Sequence, residues 1–132
     1  YALEISGYNY IKAIRAFKKG WIQVQDVSSM LVAEIAAPNW GDYCIDVCAL
    51  REEKPAYSEK LRGSGFVEAR DISEHKVKLM QENIERTGAI NIKAHVEDAT
   101  EWNRFSHHKA DIVLADVLFR PGRDREKAGY QI

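Results

Sequence analysis

Short apolar runs with the length of strands recur along this chain, and three of the four end in aspartate. They occupy residues 43–49, 65–71, 91–98 and 110–116. Such runs are typical of strands that are buried on both faces of a sheet. Between the second and third runs, apolar residues recur every three or four positions, which predicts a helix. Strands that alternate with helices indicate a parallel sheet joined by right-handed crossovers.

Capping residues delimit two of the predicted helices. Asp26 is a suitable N-cap for a helix that Pro38 closes. Residues at helical spacing in this segment are Val27, Met30, Leu31, Glu34 and Ile35. Ser73 can cap the helix between the second and third strands, and Gly88 fits its C-terminal stop. One face of that helix carries Val77, Met80, Ile84 and Thr87. A further helix is predicted over about 55–62.

The predicted organisation is one α/β domain preceded by an arm. Residues 25–132 form the domain, a three-layer sandwich, and one domain agrees with a length of 132 residues. Residues 1–24 are aromatic-rich and irregular, which predicts a connecting arm. Its aromatic residues Tyr8, Tyr10 and Trp21 either pack against a neighbouring domain or stack on bases. Packing is the more economical interpretation.

Composition narrows the functional classes only modestly. The chain has 19 basic and 20 acidic residues, so it lacks the basic surplus typical of nucleic-acid binders, although local clustering still matters. No apolar run has the length of a membrane span. Residues 1–4 do not resemble the start of a secretory signal. Cys44 and Cys48 fall in one predicted strand, and reduced thiols in a cytoplasmic protein are expected.

The aspartates at the strand ends are the main candidates for ligand binding. In nucleotide-binding α/β folds, an acid after the second strand accepts hydrogen bonds from ribose hydroxyls. Asp71 holds that position, Asp98 is placed to border an adenine, and Asp116 is placed to face the reacting group. A single aspartate at a strand end is more often a loop cap. Three on successive strands favour a ligand site.

The other candidate chemistry is weaker. A nucleotide fold needs glycines after its first strand so that the backbone can approach the ligand. Residues 50–55 supply none, and Glu52 and Glu53 would repel a carboxylate or phosphate. His107 and His108 are too few for a metal site and lack partners at useful spacing. Cys48 has no paired base, so a buried strand thiol is the better interpretation.

Several motifs resemble the Sun/Fmu family of S-adenosylmethionine-dependent RNA (cytosine-5) methyltransferases. The resemblance covers residues 1–117. It rests on Phe17–Ser29, on Asp46–Ala49, on Asp71-Ile72-Ser73, on Glu82–Gly88, on Asp98-Ala99 and on Ala110–Asp116. It implies a Rossmann-like methyltransferase fold with the strand order 3-2-1-4. It also implies transfer of a methyl group from S-adenosylmethionine to C5 of a cytosine in RNA, ribosomal RNA above all.

The resemblance assigns cofactor contacts but neither a catalytic nor a metal-binding residue. The implied contacts with S-adenosylmethionine are Cys48, Ala49, Lys54, Asp71, Asp98 and Asp116. The family's nucleophilic cysteine belongs to a later motif, beyond Ile132. We therefore expect the chain as written to be inactive, with little affinity for the cofactor. Self-association through the apolar strand 112–114 is also expected, because exposed strand edges recruit other chains.

Two family motifs are disrupted, and a shifted reading frame would account for both. The family continues Cys48-Ala49 with Pro-Gly-Gly-Lys and places Pro-Cys-Ser-Gly after the last aspartate, where this chain has Phe119. Permitted codons for residues 50–54 spell Pro-Gly-Gly-Lys in a shifted frame. Permitted codons for residues 118–132 spell a stretch that begins Cys-Ser-Gly. Two other interpretations stay open: a degenerate, non-catalytic module that binds RNA or a protein partner, and a small domain with a different activity.

The DNA of the gene separates a shifted reading frame from the other two interpretations. If the frame has shifted, the bases that encode residues 50–54 and 118–132 will spell both lost motifs in an alternative frame. Sequencing the locus will show this. Bases that spell neither motif in any frame would favour the other two interpretations, the degenerate module and the domain with a different activity.

Overall fold

The computed structural model describes residues 3–49, 61 and 63–116. Its strands are β1 (Tyr43–Asp46), β2 (Phe66–Asp71), β3 (Ile92–Val96) and β4 (Ile112–Leu114). Its α-helices are α1 (Arg15–Lys18), α2 (Val27–Ala36) and α3 (Glu74–Thr87), and a 3₁₀ turn covers Ile11–Ala13. Of the helix predicted over 55–62, only Leu61 is among the described residues. Lys54 and the residues after Asp116 also lie outside them.

The four strands form one parallel sheet in the order β3-β2-β1-β4, as predicted. Every strand is shorter than its apolar run. β1 ends at Asp46 because its carboxylate accepts a hydrogen bond from the Cys48 amide at 3.0 Å, which turns the chain. The placing of Cys44 and Cys48 in one strand is therefore wrong. Cys44 lies in β1, Cys48 lies in the turn, and both thiols are free.

The hydrophobic core lies on one face of the sheet. Alternate residues of each strand point to this face, and both long helices pack against it. Its members are Ala33, Cys44, Ala49, Leu61, Val67, Ala69, Val77, Met80, Ile92, Ala94 and Leu114. α3 contributes the face that its sequence period predicts, with Val77 and Met80 buried. Burial of each such side chain stabilises the fold by about 1.5–3 kcal/mol.

Helix α2 buries a different face from its apolar stripe. Ser29 and Ala33 face the core, with Val32 and Ala36 packed beside them, whereas Val27, Leu31 and Ile35 are exposed. Small side chains let the helix approach the sheet closely, so the contact face is the small one. The N-cap is as predicted, since Asp26 accepts a hydrogen bond from the Ser28 amide at 3.1 Å. Pro38 follows the left-handed C-cap Ala37.

The caps of α3 also agree with the prediction. The hydroxyl of Ser73 accepts a hydrogen bond from the Lys76 amide, and Gly88 ends the helix with φ of 70°. A left-handed C-cap favours glycine because glycine has no Cβ to clash with the backbone. The helix therefore begins and ends where its sequence signals place it.

The opposite face of the sheet is crossed by the connection between β3 and β4. Residues 97–111 run from the carboxyl end of β3 to the amino end of β4. Ser106 of this crossover accepts a hydrogen bond from Arg70 at 2.5 Å. Arg70 points away from the core, because its neighbours Ala69 and Asp71 point toward it. Within the described residues, turns rather than a helix lie against this face.

The arm is more ordered than predicted and is held by Arg86. It contains the 3₁₀ turn and the single-turn helix α1. The Arg86 guanidinium donates hydrogen bonds to the carbonyl oxygens of Phe17 at 2.7 Å and Ile22 at 3.3 Å, and also contacts the Gln23 side chain. It stacks 4.1 Å above the centre of the Phe17 ring. Burial lowers the pKa of Arg86.

Gly20 fixes how closely the arm approaches α3. Its φ is +74°, and a Cβ at this position would lie 2.2 Å from the Arg86 carbonyl oxygen. No other residue type fits without a backbone shift. No described helix has both the length and the apolar character needed to span a membrane.

Strand β4 is the edge at which we predict self-association. Within the described part of the chain, β3 and β4 are the edge strands of the sheet, and β3 carries Lys93 whereas β4 is Ile-Val-Leu. Val113 is 62% exposed. Because a charge on an edge strand discourages pairing with another chain, Val113→Lys should reduce association without loss of stability.

Light scattering at increasing concentration measures this association. Val24→Lys is the matched control, because Val24 is also exposed but precedes the sheet. A chain that stays monomeric before any substitution would contradict the prediction.

Candidate functional site

The carboxyl ends of all four strands are joined by backbone hydrogen bonds. The Val47 amide donates to Leu114 O at 3.0 Å, the Ala49 amide donates to Arg70 O at 2.8 Å, and the Glu97 amide donates to Asp71 O at 3.2 Å. These bonds place the segments that leave β1, β2 and β3 side by side. In open parallel sheets, ligands bind at this edge.

Asp71 lies at the end of β2, as predicted, and its carboxylate is already partly engaged. The side chain is 2% exposed and forms an ion pair with Lys76 at 2.9 Å. Its other oxygen accepts a hydrogen bond from the Ser73 amide at 2.9 Å. A carboxylate has about four acceptor positions, and these two contacts use two of them. Ile72, the next residue, is 67% exposed beside it. The role of Asp71 as a ligand residue stays a prediction.

The turn after β1 brings Cys48 and Ala49 to the same edge. Ala49 is fully buried and hydrogen-bonded to β2, and Cys48 is half-buried. The sequence analysis did not count Asp46 as a site residue, although its side chain is 1% exposed and forms this turn. An aspartate inside the apolar run 43–49 was the signal for it.

Asp98 begins the crossover, close to the end of β2. Its carboxylate accepts hydrogen bonds from the Thr100 amide at 2.9 Å and the Thr100 hydroxyl at 2.7 Å. These bonds lower the pKa of Asp98, which keeps the group ionised. An open groove beside it is lined by Glu97, Trp102 and Phe105 among others. Asp98 therefore both caps its own turn and borders a groove with aromatic walls.

Asp116 is the last described residue and lies two positions beyond β4. β4 pairs with β1, so Asp116 follows the strand that neighbours the Cys48 turn. The structure thus brings Cys48, Ala49, Asp71 and Asp98 to one edge, and Asp116 follows β4 by two positions. Lys54 lies outside the described residues, and its predicted contact stays a prediction.

A charged network on the face opposite the core was missed by the sequence analysis. The Arg70 guanidinium pairs with Glu68 and with Glu97, at 2.6 Å each. Two residues of the crossover join this network. Asn103 donates a hydrogen bond to Glu97 at 2.9 Å, and Ser106 accepts one from Arg70. Glu68-x-Arg70 and His95-x-Glu97 alternate along neighbouring strands, and this alternation was the available signal.

Tyr43 and His95 complete this network. The Tyr43 hydroxyl donates to Glu68, and burial together with that carboxylate raises the pKa of Tyr43 to about 12. Burial raises the pKa of Glu68, but hydrogen bonds from Tyr43 and Arg70 outweigh it and leave that pKa below its usual value. The ligand atoms of Glu68, His95 and Glu97 lie within 4.8 Å of one another, which could suit a metal ion. Arg70 already supplies the positive charge there.

The two cysteines differ in chemical availability. Cys44 is fully buried on the core side of β1, and burial raises the pKa of its thiol to about 11. A buried, protonated thiol is a poor nucleophile because the thiolate is the reactive form. Cys48 is partly accessible at the candidate edge. Cys44 is therefore a core residue.

Comparison with known proteins identifies the family. The chain is 35% identical over 103 residues to the Bacillus subtilis protein named probable ribosomal RNA small subunit methyltransferase B, covering 76% of this chain and 23% of that protein. This stretch belongs to the Sun/Fmu family of RNA methyltransferases. A second Sun/Fmu relative, the tRNA (cytosine(72)-C(5))-methyltransferase of Pyrococcus horikoshii, is 32% identical over 108 residues, covering 81% of this chain and 28% of the relative.

The solved structures agree with that Sun/Fmu assignment. NSun6 from Pyrococcus horikoshii, determined with the S-adenosylmethionine analogue SFG, superposes with a TM-score of 0.65 at 30% identity, covering 70% of this chain and 24% of that one. The fold is thus the Rossmann-like methyltransferase fold. The chain spans about a quarter of the length of the Sun/Fmu relatives. No protein-family model matches it.

Arg70 should be the most sensitive position in the charged network. Arg70→Met leaves Glu68 and Glu97 with the His95 ring as their remaining partner, and breaking a buried ion pair costs about 3–5 kcal/mol. Because the pKa of Glu68 is depressed in the folded chain, its contribution is present above its ordinary value of 4.5 and is lost as the pH falls. The deficit of the variant should therefore shrink in acid.

Urea unfolding at neutral and acidic pH measures this deficit. Lys78→Met, at an exposed position of α3, is the control for loss of a cation. Adding Glu68→Gln and Glu97→Gln to the variant should recover part of the stability. An unchanged unfolding midpoint in Arg70→Met would contradict the account.

Proposed function

We propose that this chain is part of a methyltransferase domain that holds S-adenosylmethionine for transfer of its methyl group to C5 of a cytosine in RNA. The observation that carries the proposal is the joined edge of strand ends, with Asp71 at the end of β2 and Asp98 two residues beyond the neighbouring β3. Ribosomal RNA is the favoured substrate, since the Bacillus subtilis relative carries that name. A cytoplasmic location follows from that role.

The described residues fit the nucleoside half of this cofactor. Asp71 retains acceptor positions for ribose hydroxyls, and the exposed Ile72 offers an apolar surface for an adenine. The ionised Asp98 is suited to accept a hydrogen bond from an exocyclic amine. The methionine half would lie toward residues 50–54, where Lys54 is the proposed contact. When bound, the cofactor supplies an electrophilic methyl group on its sulfonium sulfur.

The chain's own residues bind and orient; none is assigned the nucleophile. Asp46 holds the turn after β1, so the Cys48 and Ala49 backbone lines the site. Lys76 neutralises Asp71 and would have to share that carboxylate with a ribose. Cys44 is unsuited to attack on a base, because it is buried and its pKa is raised. Covalent catalysis of this kind requires an accessible thiolate.

A non-catalytic binding module is the second candidate function. Glu52 and Glu53 occupy the positions of the family's glycines and place two negative charges where the carboxylate of the cofactor should approach. A module of this kind would keep the fold and its RNA or protein contacts while losing the cofactor. Affinity for the cofactor separates the two candidates.

Restoring the glycines should raise the affinity for S-adenosylmethionine. The change Arg51→Pro, Glu52→Gly and Glu53→Gly removes side-chain bulk and two like charges from the approach of the ligand. Asp71→Asn in that background should lower affinity by about 10- to 150-fold, because a hydrogen bond to a charged group contributes about 1.5–3 kcal/mol. Isothermal calorimetry measures both effects.

Asp42→Asn is the matched control for Asp71→Asn. Asp42 also accepts a backbone hydrogen bond, from the Asn39 amide at 2.7 Å, but it precedes β1 at the far edge of the sheet. Its substitution should leave affinity unchanged. Tight binding by the unsubstituted chain would show that the glycines are not needed. No binding by the glycine-restored chain would favour the non-catalytic module.

A further inference from the structure

Basic and aromatic residues are concentrated in one acid-free segment of the arm. Residues 5–25 contain four Lys or Arg residues and no Asp or Glu. The remaining residues contain 15 basic and 20 acidic side chains, so the near-zero net charge conceals a separation of charge. A basic stripe on an otherwise acidic protein is the electrostatic signature of a polyanion site.

The structure places these cations on the outer side of the arm. Lys12, Arg15, Lys18 and Lys19 are all exposed, whereas Ile11, Ile14 and Phe17 are partly buried. Both sets recur every three residues. The exposed cations are at 12, 15 and 18, and the partly buried apolar residues are at 11, 14 and 17. No carboxylate of the described residues forms an ion pair with these four cations. Their charge is therefore available to a ligand.

Exposed aromatic side chains flank the cations on both sides. Trp21 is 72% exposed, Tyr10 is 61% exposed and Tyr8 is 44% exposed. Aromatic rings offer stacking platforms to unpaired bases, and neighbouring cations neutralise the phosphates between them. A duplex hides its bases from such rings, so the pattern favours single-stranded nucleic acid.

The arm is held in place before any ligand binds. Arg86 binds the Phe17 and Ile22 carbonyl oxygens, and Gly20 packs against the backbone of α3. These contacts use the inner side of the arm and leave Trp21 and the cations outside. A preformed surface loses less conformational entropy on binding than a free segment would.

We propose that residues 8–21 form a docking surface for single-stranded RNA, with Lys12, Arg15, Lys18 and Lys19 on its phosphates and Tyr8, Tyr10 and Trp21 on its bases. This inference rests on the proposed function, because RNA is the substrate of that activity. It assigns the arm aromatics to RNA contact. The sequence analysis had favoured packing against a neighbouring domain for the same residues. The arm thereby positions RNA beside the domain that carries the cofactor site.

Fluorescence anisotropy of a labelled single-stranded RNA, titrated at several salt concentrations, tests the surface. Replacing Lys12, Lys18 and Lys19 by Ser should weaken binding and flatten the salt dependence by about 2 in log–log slope, at about 0.7 per phosphate contact. Trp21→Ala should weaken binding about tenfold with an unchanged slope, because stacking contributes without charge.

The controls match each change in residue type and exposure. Trp40 is 69% exposed outside the arm, so Trp40→Ala should leave RNA affinity unchanged. Lys78 and Lys93 are exposed cations of α3 and β3, and their replacement by Ser should leave the salt slope unchanged. Gly20→Ala retains every cation and ring but disturbs the docked arm, so it should lower affinity without altering the slope.

The outcomes separate this inference from the proposed function. If the arm variants and the Lys78 and Lys93 variants lose RNA affinity equally, the assignment of the RNA surface to the arm is overturned. Absence of RNA binding even at low salt would also overturn it and would favour packing of the arm against protein. Calorimetry with the cofactor on the glycine-restored chain is independent of the arm, so failure there would count against the methyltransferase proposal alone.

Discussion

Parallel pairing of the four strands is the constraint on which both faces of this molecule and its candidate site depend. A parallel ladder brings all carboxyl ends to one edge, and here three backbone hydrogen bonds continue the pairing beyond the regular strands. The order β3-β2-β1-β4 then requires one connection to cross the sheet from one edge to the other. That crossover starts beside Asp71 and carries Asp98, so the topology itself places the two aspartates together.

The crossover is held to the sheet by charge rather than by a hydrophobic helix face. Arg70 joins Glu68 on its own strand, Glu97 at the end of β3, and Ser106 in the crossover. Removing one member would leave the others buried without a partner, which is why such networks are sensitive to single substitutions. On the other face, small residues of α2 and the apolar side of α3 form the core. One face of the sheet is therefore stabilised by ion pairs and hydrogen bonds, and the other by hydrophobic packing.

The sequence predicted those features that depend on local signals. The caps at Asp26, Ser73 and Gly88 and the strand order were all confirmed. The contact face of α2 could not be read from periodicity, because close approach favours the small Ser29 and Ala33 over larger apolar residues. The turn at Cys48 depends on a side-chain hydrogen bond inside an apolar run. Asp71 lies at the end of its strand as predicted, whereas Asp98 lies two residues beyond β3. The ligand roles of both aspartates stay predictions. The Lys76 partner of Asp71 lies five residues away and has no sequence signature.

The central claim is that the nucleoside of S-adenosylmethionine binds where the ends of β1, β2 and β3 meet. Amide chemical shifts measured during titration of the glycine-restored chain with S-adenosylhomocysteine test it most directly. The account predicts perturbations at Ala49, Ile72 and Asp98, with Gly65 and Asp111 at the opposite edge unaffected. Perturbations that cluster at the opposite edge, or that are absent from Ile72 and Asp98 at saturation, would contradict it.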